Sequence, residues 1–245
     1  MMNEISLDKP LAAGTSGPSL EDFLSTLRHQ LGNSVNALKV TLDVLNENFD
    51  LFNDEKKKEY LQRAQEVLAR QQSLIDAMRS YSNVRVDDRK PVDFVSFWES
   101  FLEAVRRRTK TVTMNPDLNK RPCQVMGSPI AIQTVLIQLL ENALDAVEGM
   151  DDQRIELSVT EEAEWIRIDV KDHGCGIRKT DMNRIFLPLF TTKPKRKGLG
   201  LPIAQKLTAQ MGGRLEIVPV AEGGTAATLW LQRVGGEKNG QAIHQ

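Results

Sequence analysis

The 245-residue sequence lacks the features that mark several large classes of protein. Its two cysteines, Cys123 and Cys175, are too few and too far apart for a disulfide framework or a cysteine-rich metal site. The net charge of −1 gives no sign of binding to nucleic acid or to an anionic membrane. No run of residues reaches the apolar length of a membrane span, and the N-terminus has no signal-peptide pattern. These absences favour an ordinary globular protein of the reducing cytoplasm.

The first half of the chain has the apolar periodicity of two long helices. Apolar residues recur at steps of three or four from Leu24 to Phe49, and the same spacing returns from Tyr60 to Tyr81. The segment 46–55 (NENFDLFNDE) separates the two patterns, which indicates a helical hairpin. Two helices alone cannot enclose a core, so we expect two chains to pair their hairpins in a four-helix bundle. The alternative is a monomer in which the hairpin packs on the second half.

The second half of the chain mixes helical and strand-like patterns, beginning near Pro91. A long apolar helix follows Ser128, which we expect to be its N-cap, and alternating segments form hairpins around 160–164 and Gly223–Gly224. The expected helices cover 94–108, 128–149 and 202–210, and the expected strands cover 112–115, 123–127, 155–159, 166–170 and the two arms of 214–231. Strands with helices gathered on one face predict a two-layer α/β sandwich.

These patterns divide the chain into five expected segments. The hinge between the two halves is placed where the polar sequence SNVRVDDRK interrupts both periodicities. The expected segments are a disordered lead over 1–18, a helical hairpin over 19–84, a hinge over 85–90, a sandwich domain over 91–234 and a disordered tail over 235–245.

Three segments of the second half carry side chains suited to a nucleotide. Asn142 lies in a leucine-rich helix, where a buried amide is usually structural. Asp172 ends a strand and begins D-H-G-C-G, so its carboxylate can accept a hydrogen bond while the glycines let the backbone approach closely. The segment 185–201 (IFLPLFTTKPKRKGLGL) is aromatic, then basic, and ends in glycines that open a helix N-terminus toward phosphate. Each pattern by itself also occurs in ordinary helices, turns and loops.

In series, these motifs resemble the ATP-binding domain of sensor histidine kinases, which belongs to the GHKL superfamily with gyrase and MutL. The series runs from Asn142 through D-x-G-x-G, I-F-x-P-x-F-T-T-K and G-L-G-L to Gly224–Thr225. The preceding hairpin, with LRHQLGN at 27–33, resembles the dimerisation and histidine-phosphotransfer domain of the same enzymes. The resemblance covers about residues 20–232. It implies a dimeric four-helix bundle followed by a two-layer α/β sandwich.

The resemblance also implies roles for individual residues. His29 matches the phosphoacceptor, and Asn33, on the same polar face, matches the position that orients water when such kinases dephosphorylate their partner. Asn142 matches the Mg²⁺ ligand, and Asp172 matches the carboxylate that reads adenine. The other residues that match nucleotide-binding positions are Gly174, Gly176, Ile177, Phe186, Thr192, Lys193, Gly198, Leu199, Gly200, Leu201 and Thr225.

The implied function is phosphorylation of His29 by ATP and Mg²⁺, followed by transfer to an aspartate of a response-regulator receiver domain. The implied assembly is a homodimer, and no nucleic acid is expected as partner. Two positions depart from the family's pattern. Gln30 stands where a glutamate or aspartate usually takes the imidazole proton, which predicts slow autophosphorylation. Arg196 replaces an additional glycine of the lid (residues 186–200), which predicts a stiffer lid with a more cationic grip on phosphate.

Three other functions are alternatives to this interpretation. A histidine-kinase-like scaffold, or a phosphatase that binds a receiver domain, would tolerate Gln30. The hydrolytic ATPases of the superfamily carry a water-activating glutamate at the position of Gln138, and Glu141 lies about 100° around the helix from Asn142. Hydrolysis therefore has no evident base in this sequence. A serine-directed anti-sigma kinase would need neither His29 nor the helical hairpin.

Overall fold

The computed structural model describes residues 20–109, 111–115, 123–193, 196–221 and 223–235. The disordered lead expected over 1–18 lies outside these ranges, as does all but the first residue of the tail expected over 235–245. Within the described ranges, the chain forms a helical hairpin followed by a mixed α/β domain.

The hairpin consists of α1 (Leu20–Glu47) and α2 (Asp54–Asn83), as the apolar periodicity predicts. The start of α2 is fixed by Asn53, whose side chain accepts a hydrogen bond from the backbone N–H of Lys56 at 2.8 Å. Acidic residues in the first turn of α2 add a favourable interaction with the helix dipole. The turn between the helices is therefore encoded locally by the sequence.

The apolar stripe of the hairpin is only partly covered by its own chain. Leu45, Ala64 and Ala77 are buried in the hairpin. Along α2, a row of apolar side chains repeats every seven residues and stays about half exposed, which is the spacing of a coiled-coil seam. The exposed apolar residues of the two helices, between 43% and 61% accessible, are Val35, Val40, Leu42, Leu61, Leu68 and Ile75. A stripe of this length favours a second hairpin as its cover.

The second domain combines a small sheet and a large one with three helices. Its helices are α3 (Phe94–Arg108), α4 (Pro129–Val147) and α5 (Gly200–Gln210). Its strands are β1 (Lys90–Asp93), β2 (Val112–Asn115), β3 (Gln124–Gly127), β4 (Ile155–Glu161), β5 (Trp165–Asp172), β6 (Arg214–Pro219) and β7 (Thr225–Gln232).

The main sheet has the strand order β2-β4-β5-β7-β6, with β2 and β4 parallel and the other neighbours antiparallel. Buried and more exposed side chains alternate along β5 and β7, which is the pattern of a sheet with one covered face. α4 and α5 pack against each other, and they contact β5 and β6 respectively. β1 and β3 pair in a separate two-stranded sheet. The predicted two-layer α/β sandwich is confirmed.

α4 lies at the centre of the core, and the structure changes two expectations about it. Ser128 occupies the N-cap position, but its side chain makes no capping hydrogen bond, and Pro129 at the first helical position presets φ for the first turn. By length and composition, α4 is apolar enough to cross a membrane, so the expectation that no segment reaches that threshold is wrong. Burial of Ile132, Leu136 and Leu139 in the domain core accounts for this composition.

The C-terminal end of the hairpin is fastened to α5. The Lys206 ammonium donates hydrogen bonds to the backbone carbonyl oxygens of Tyr81 at 2.8 Å and Ser82 at 3.2 Å, in the last turn of α2. A cation in that place also interacts favourably with the negative end of the helix dipole. The backbone N–H of Val86 donates to Oε1 of Gln210 at 2.8 Å. The start of the expected hinge is therefore bonded to side chains of α5. The domain boundaries themselves stay a prediction.

Candidate functional site

A cavity of about 660 Å³ opens between α4, the end of β5 and the lid that precedes α5. Its volume lies in the range typical of small-molecule sites. Gly174 and Phe186 are predicted to bind the nucleotide but are not in its lining, because Gly174 packs under α4 and Phe186 packs on the core. Phe190 lines the cavity. The predicted residues that do line it are Asn142, Asp172, Gly176, Ile177, Thr192, Lys193, Gly198, Leu199, Gly200, Leu201 and Thr225.

Asp172 is held at the end of β5 with one carboxylate oxygen engaged and the other available to a ligand. The side chain is only 5% exposed. Its Oδ1 accepts hydrogen bonds from the backbone N–H groups of Gly174 at 3.0 Å and Thr225 at 3.1 Å. The pairing of β5 with β7 places Thr225 opposite Asp172, which brings the second donor within reach. Within the described ranges Oδ2 has no protein partner, so it can accept a hydrogen bond from an amino group in the cavity.

Burial raises the pKa of the Asp172 carboxyl above its usual value, although the two backbone N–H donors partly offset that effect. The folded state therefore binds this proton more tightly than the unfolded chain does. As the pH rises from the unfolded pKa through the folded one, the contribution of this group to the free energy of unfolding falls. A carboxylate kept in a cavity despite this loss of stability indicates a binding role.

The turn after β5 is packed tightly against α4. A Cβ on Gly174 would lie 2.3 Å from the carbonyl oxygen of Ala146, and Gly176 has a φ of +68°. Neither position accepts a larger residue without strain. Between them, Cys175 donates its backbone N–H to the same Ala146 carbonyl at 3.1 Å. The glycines thus bring the turn against the helix that carries Asn142.

Asn142 has an unpaired amide on the cavity side of α4. Its Nδ2 is buried and has no hydrogen-bond partner among the described residues. α5 begins opposite, since a Cβ on Gly200 would lie 2.6 Å from Oε1 of Gln138 and 3.8 Å from Nδ2 of Asn142. The N-cap Leu199 gives no side-chain hydrogen bond to the first turn of α5, which leaves backbone N–H groups available to an anion. Nδ2 of Asn142 and the N–H groups of α5 are donors that fit phosphate oxygens, and a half-turn of the Asn142 amide would present its oxygen to a magnesium ion.

The lid is fastened to α4 by its cations. Nε and Nη2 of Arg196 each donate to a different oxygen of Asp145 at 2.8 Å, and Nη1 donates to Glu141 at 3.0 Å. Nζ of Lys193 donates to Asp145 at 3.2 Å and to the carbonyl oxygen of Asn142 at 3.4 Å. Burial acts to raise the pKa of Asp145, but the hydrogen bonds from Arg196 and Lys193 outweigh it and lower this pKa. The carboxylates of α4 therefore anchor Lys193 and Arg196 of the lid beside the cavity.

The sequence did not identify Glu141 and Asp145 as site residues. A signal was present, because the two acids flank Asn142 and are four residues apart on one helix, a spacing that places side chains on the same face. The basic lid was also visible in the sequence. The sequence did not show the path of the lid. That path brings Arg196 to α4, whereas its side chain would otherwise point to solvent.

The structure does not bring His29 to this cavity. His29 and Asn33 lie one turn apart on an exposed face of α1, with Nδ2 of Asn33 3.2 Å from Nδ1 of His29. Gln30 lies beside them in α1, but its side chain is outside the described part of the chain. His29 is absent from the residues that line the cavity. A group bound in the cavity can reach His29 only if the two parts approach each other, within one chain or between two.

Comparison with known proteins identifies both parts of the chain. The family model described as "His Kinase A (phospho-acceptor) domain" matches residues 19–85. The family model described as "Histidine kinase-, DNA gyrase B-, and HSP90-like ATPase" matches residues 127–235. Together they cover most of the chain, in the order and at the places that the motifs predict. The chain belongs to the two-component sensor histidine kinases, the class of protein-histidine kinases that joins these two domains.

Curated relatives and solved structures agree with this assignment. The chain is 28% identical over 224 residues to the two-component sensor PprA of Pseudomonas aeruginosa, covering 87% of this chain and 24% of that protein. It is 35% identical over 111 residues to the C4-dicarboxylate transport sensor protein DctB of Rhizobium meliloti, covering 45% and 18%. It therefore spans a quarter or less of the length of these two relatives.

Two solved structures support the fold. One is the mycobacterial sensor histidine kinase MprB, with a TM-score of 0.50 and 24% identity, which covers 60% of this chain and 98% of that one. The other is full-length ShkA in complex with AMPPNP, with a TM-score of 0.54 and 18% identity, which covers 87% and 46%.

Replacing Arg196 by glycine is expected to weaken ATP binding about three- to tenfold. Without this guanidinium, Glu141 and Asp145 present uncompensated negative charge where the resemblance places the triphosphate. Exposed charge pairs are each worth up to about 1 kcal/mol, so the loss is moderate and shrinks at high salt. Calorimetric titration with ATP and Mg²⁺ at two salt concentrations measures it.

The matched control for this prediction is Lys197→Gly. Lys197 is an exposed lid cation that also lines the cavity but forms no ion pair with the described residues, so its removal takes away a lid charge without breaking an ion pair to α4. Adding Asp145→Asn to Arg196→Gly should recover most of the lost affinity. Equal losses from the Arg196 and Lys197 variants would show that the ion pairs on α4 have no specific effect.

Proposed function

We propose that this chain transfers the γ-phosphoryl group of ATP to His29 and then to an aspartate of a response-regulator receiver domain. One observation carries the proposal. The same cavity offers the open carboxylate oxygen of Asp172, the unpaired amide of Asn142 and the open N-terminus of α5. Oδ2 of Asp172 suits the amino group of adenine, and the N–H groups of α5 suit the phosphates. The amide of Asn142, turned so that its oxygen faces the cavity, suits the magnesium ion. His29 supplies an exposed imidazole in the same chain.

In this proposal, each part of the cavity has a separate task. Oδ2 of Asp172 accepts a hydrogen bond from the adenine amino group, and the backbone N–H groups that begin α5 bind phosphate oxygens. Asn142 holds Mg²⁺, which neutralises the charge that develops on the phosphates during transfer. When the nucleotide binds, Lys193 leaves Asp145 and contacts a phosphate oxygen. One of the ion pairs between the lid and α4 is then lost.

The acceptor reaction requires a neutral imidazole. A ring nitrogen of His29 attacks the γ-phosphorus with its lone pair, the bond to the β–γ bridging oxygen breaks, and ADP leaves with that electron pair. The phosphoryl group then passes to a carboxylate oxygen of the receiver aspartate, and the imidazole is restored. The exposure of His29 on α1 lets both the nucleotide cavity and a receiver domain approach it.

We propose that the working form is a homodimer. Two hairpins joined along their exposed apolar stripes form a four-helix bundle that presents one His29 on each side. The propensity of the phosphoacceptor family for dimers supports this assembly. Both cysteines are free in the described residues, which suits the reducing cytoplasm that we propose as the location.

A receiver-binding phosphatase is the second candidate function. Gln30 offers no carboxylate for the kinase reaction, while Asn33, beside His29, can orient a water molecule through its amide. Such a protein would bind ATP and a phosphorylated receiver domain but would not label His29. The same first experiment separates the two functions.

The test is incubation with γ-labelled ATP and Mg²⁺, with the wild type beside His29→Ala and Asn142→Ala. The proposal predicts label that is stable in base, labile in acid and lost in both variants. A wild type that binds ATP and takes no label would contradict the kinase function. Faster release of phosphate from a phosphorylated receiver domain would then support the phosphatase function.

A further inference from the structure

One contact on α1 bears on which ring nitrogen of His29 can act as nucleophile. Nδ1 of His29 lies 3.2 Å from the side-chain amide of Asn33, and both side chains are exposed. Neutral imidazole carries a proton on one nitrogen and a lone pair on the other, and the hydrogen bond that a neighbour makes decides between them. Since Nδ1 is engaged by its own helix, Nε2 is the nitrogen that an incoming phosphoryl group can reach.

The orientation of the amide sets the state of Nε2. When the amide N–H donates to Nδ1, that nitrogen must hold the lone pair, and Nε2 is protonated and cannot attack. A half-turn of the amide brings its oxygen to the same place. Nδ1 then carries the proton and donates a hydrogen bond to this oxygen, and the lone pair lies on Nε2. The orientation in the structure, with Nδ2 of Asn33 facing Nδ1, therefore corresponds to a resting imidazole, and the turned amide corresponds to a reactive one.

We propose that Asn33 is a positioning residue for the kinase reaction, because its amide oxygen holds the Nδ1–H tautomer and leaves the Nε2 lone pair for phosphorus. The inference rests on the proposed phosphorylation of His29. Gln30 gives this chain no carboxylate next to His29, and among the described residues Asn33 is the hydrogen-bond partner of the ring. This role is distinct from the orientation of water in dephosphorylation that the resemblance implies for Asn33.

The chemical step balances with the atoms present. The Nε2–phosphorus bond forms as the bond between phosphorus and the β–γ bridging oxygen breaks, and ADP leaves with the electron pair. The phosphorylated ring still carries its Nδ1 proton. An amide oxygen accepts a hydrogen bond but cannot keep a proton near neutral pH, so this proton passes to solvent water. The inference therefore predicts an oriented but slow reaction, since general-base assistance is missing.

The experiment compares Asn33→Asp and Asn33→Leu with the wild type. The aspartate only accepts, so it should enrich the Nδ1–H tautomer and speed autophosphorylation three- to tenfold. The leucine makes no hydrogen bond, so it should slow the reaction three- to tenfold without changing the KM for ATP. ¹⁵N shifts of labelled histidine report the tautomer directly. The chain has only three histidines, His29, His173 and His244, so the signals can be assigned by substitution.

The matched control is Asn36→Asp, which makes the same change of charge on the polar face of α1, about two turns from His29. It should leave the rate and the His29 shifts unchanged. Labelling of His29 whose rate and ¹⁵N shifts do not respond to either Asn33 variant would overturn the inference. A slower Asn33→Leu with unaltered shifts would overturn it as well, because it would show a structural effect. If the wild type takes no label, the proposed function itself fails, and the inference that rests on it fails with it.

Discussion

Replacing Gln30 by glutamate should accelerate phosphorylation of His29 about 100-fold. General-base assistance contributes typically about 10²–10⁴ in rate, and the wild-type chain has no carboxylate at the position that follows the phosphoacceptor. The variant would accept the imidazole proton while the phosphorus–nitrogen bond forms. The measurement is the single-turnover rate of labelling at saturating ATP and Mg²⁺.

The control is Gln30→Ala, which removes the amide without adding a base. Its rate should stay near that of the wild type if glutamine contributes no proton transfer. Equal rates for the wild type and Gln30→Glu would show that the missing carboxylate does not limit the reaction. The limiting step would then be the approach of the nucleotide cavity to His29, which the described structure holds apart.

The same variant links the missing carboxylate to the proposed role of Asn33. If Asn33 orients the ring because no carboxylate does so, the effect of Asn33→Leu should shrink when Gln30→Glu supplies one. A double-mutant cycle over the labelling rate measures this coupling. Independent effects that simply multiply would indicate that the two residues act on different steps.

Replacing Asp172 by asparagine should weaken ATP binding about 100-fold while the domain stays folded. The amide oxygen can still accept from the backbone N–H groups of Gly174 and Thr225, so the turn keeps its hydrogen bonds. The amide NH₂ then faces the adenine amino group. Both groups are hydrogen-bond donors, whereas in the wild type the carboxylate oxygen accepts from the amino group. Loss of a hydrogen bond to a charged group and burial of an unmatched donor together account for about 2–3 kcal/mol.

A change of base tests this assignment more sharply than affinity alone. ITP carries a carbonyl oxygen where ATP carries the amino group, so Asp172→Asn should bind ITP better than ATP, and the wild type should show the opposite order. Asp169→Asn is the matched control, because Asp169 lies on the same strand, bonds to Thr228 and does not line the cavity. Unchanged ATP affinity in folded Asp172→Asn would mean that another group reads the base.

The ion pairs of the lid should make nucleotide binding sensitive to salt. Arg196, in place of a lid glycine, is bound to Asp145 and Glu141, so the closed lid is stabilised by charges of the protein. ATP must compete with these carboxylates for the cations of the lid. Entry and release of nucleotide should therefore depend more strongly on ionic strength than a neutral, glycine-rich lid would allow.

The sequence by itself determined the secondary structure and pointed to many of the residues that line the cavity. The hairpin follows from apolar spacing, the sandwich from alternation and turn residues, and the site from Asn142, D-x-G-x-G and G-L-G-L. These features are local, since each depends on residues a few positions apart. The family assignment followed from their order along the chain. Gly174 and Phe186 lie beside lining residues without lining the cavity themselves, because spacing fixes a motif but not the direction of each side chain.

Only the tertiary structure decided which groups meet across the fold. The pairing of β5 with β7 gives Asp172 its second N–H donor from a residue 53 positions away. The path of the lid brings Arg196 to α4, 51 residues from Asp145, and turns a predicted phosphate contact into an ion pair. The burial of α4 between α5 and the sheet explains a composition that would otherwise suit a membrane. Such contacts arise from packing between distant elements, and no local periodicity encodes them.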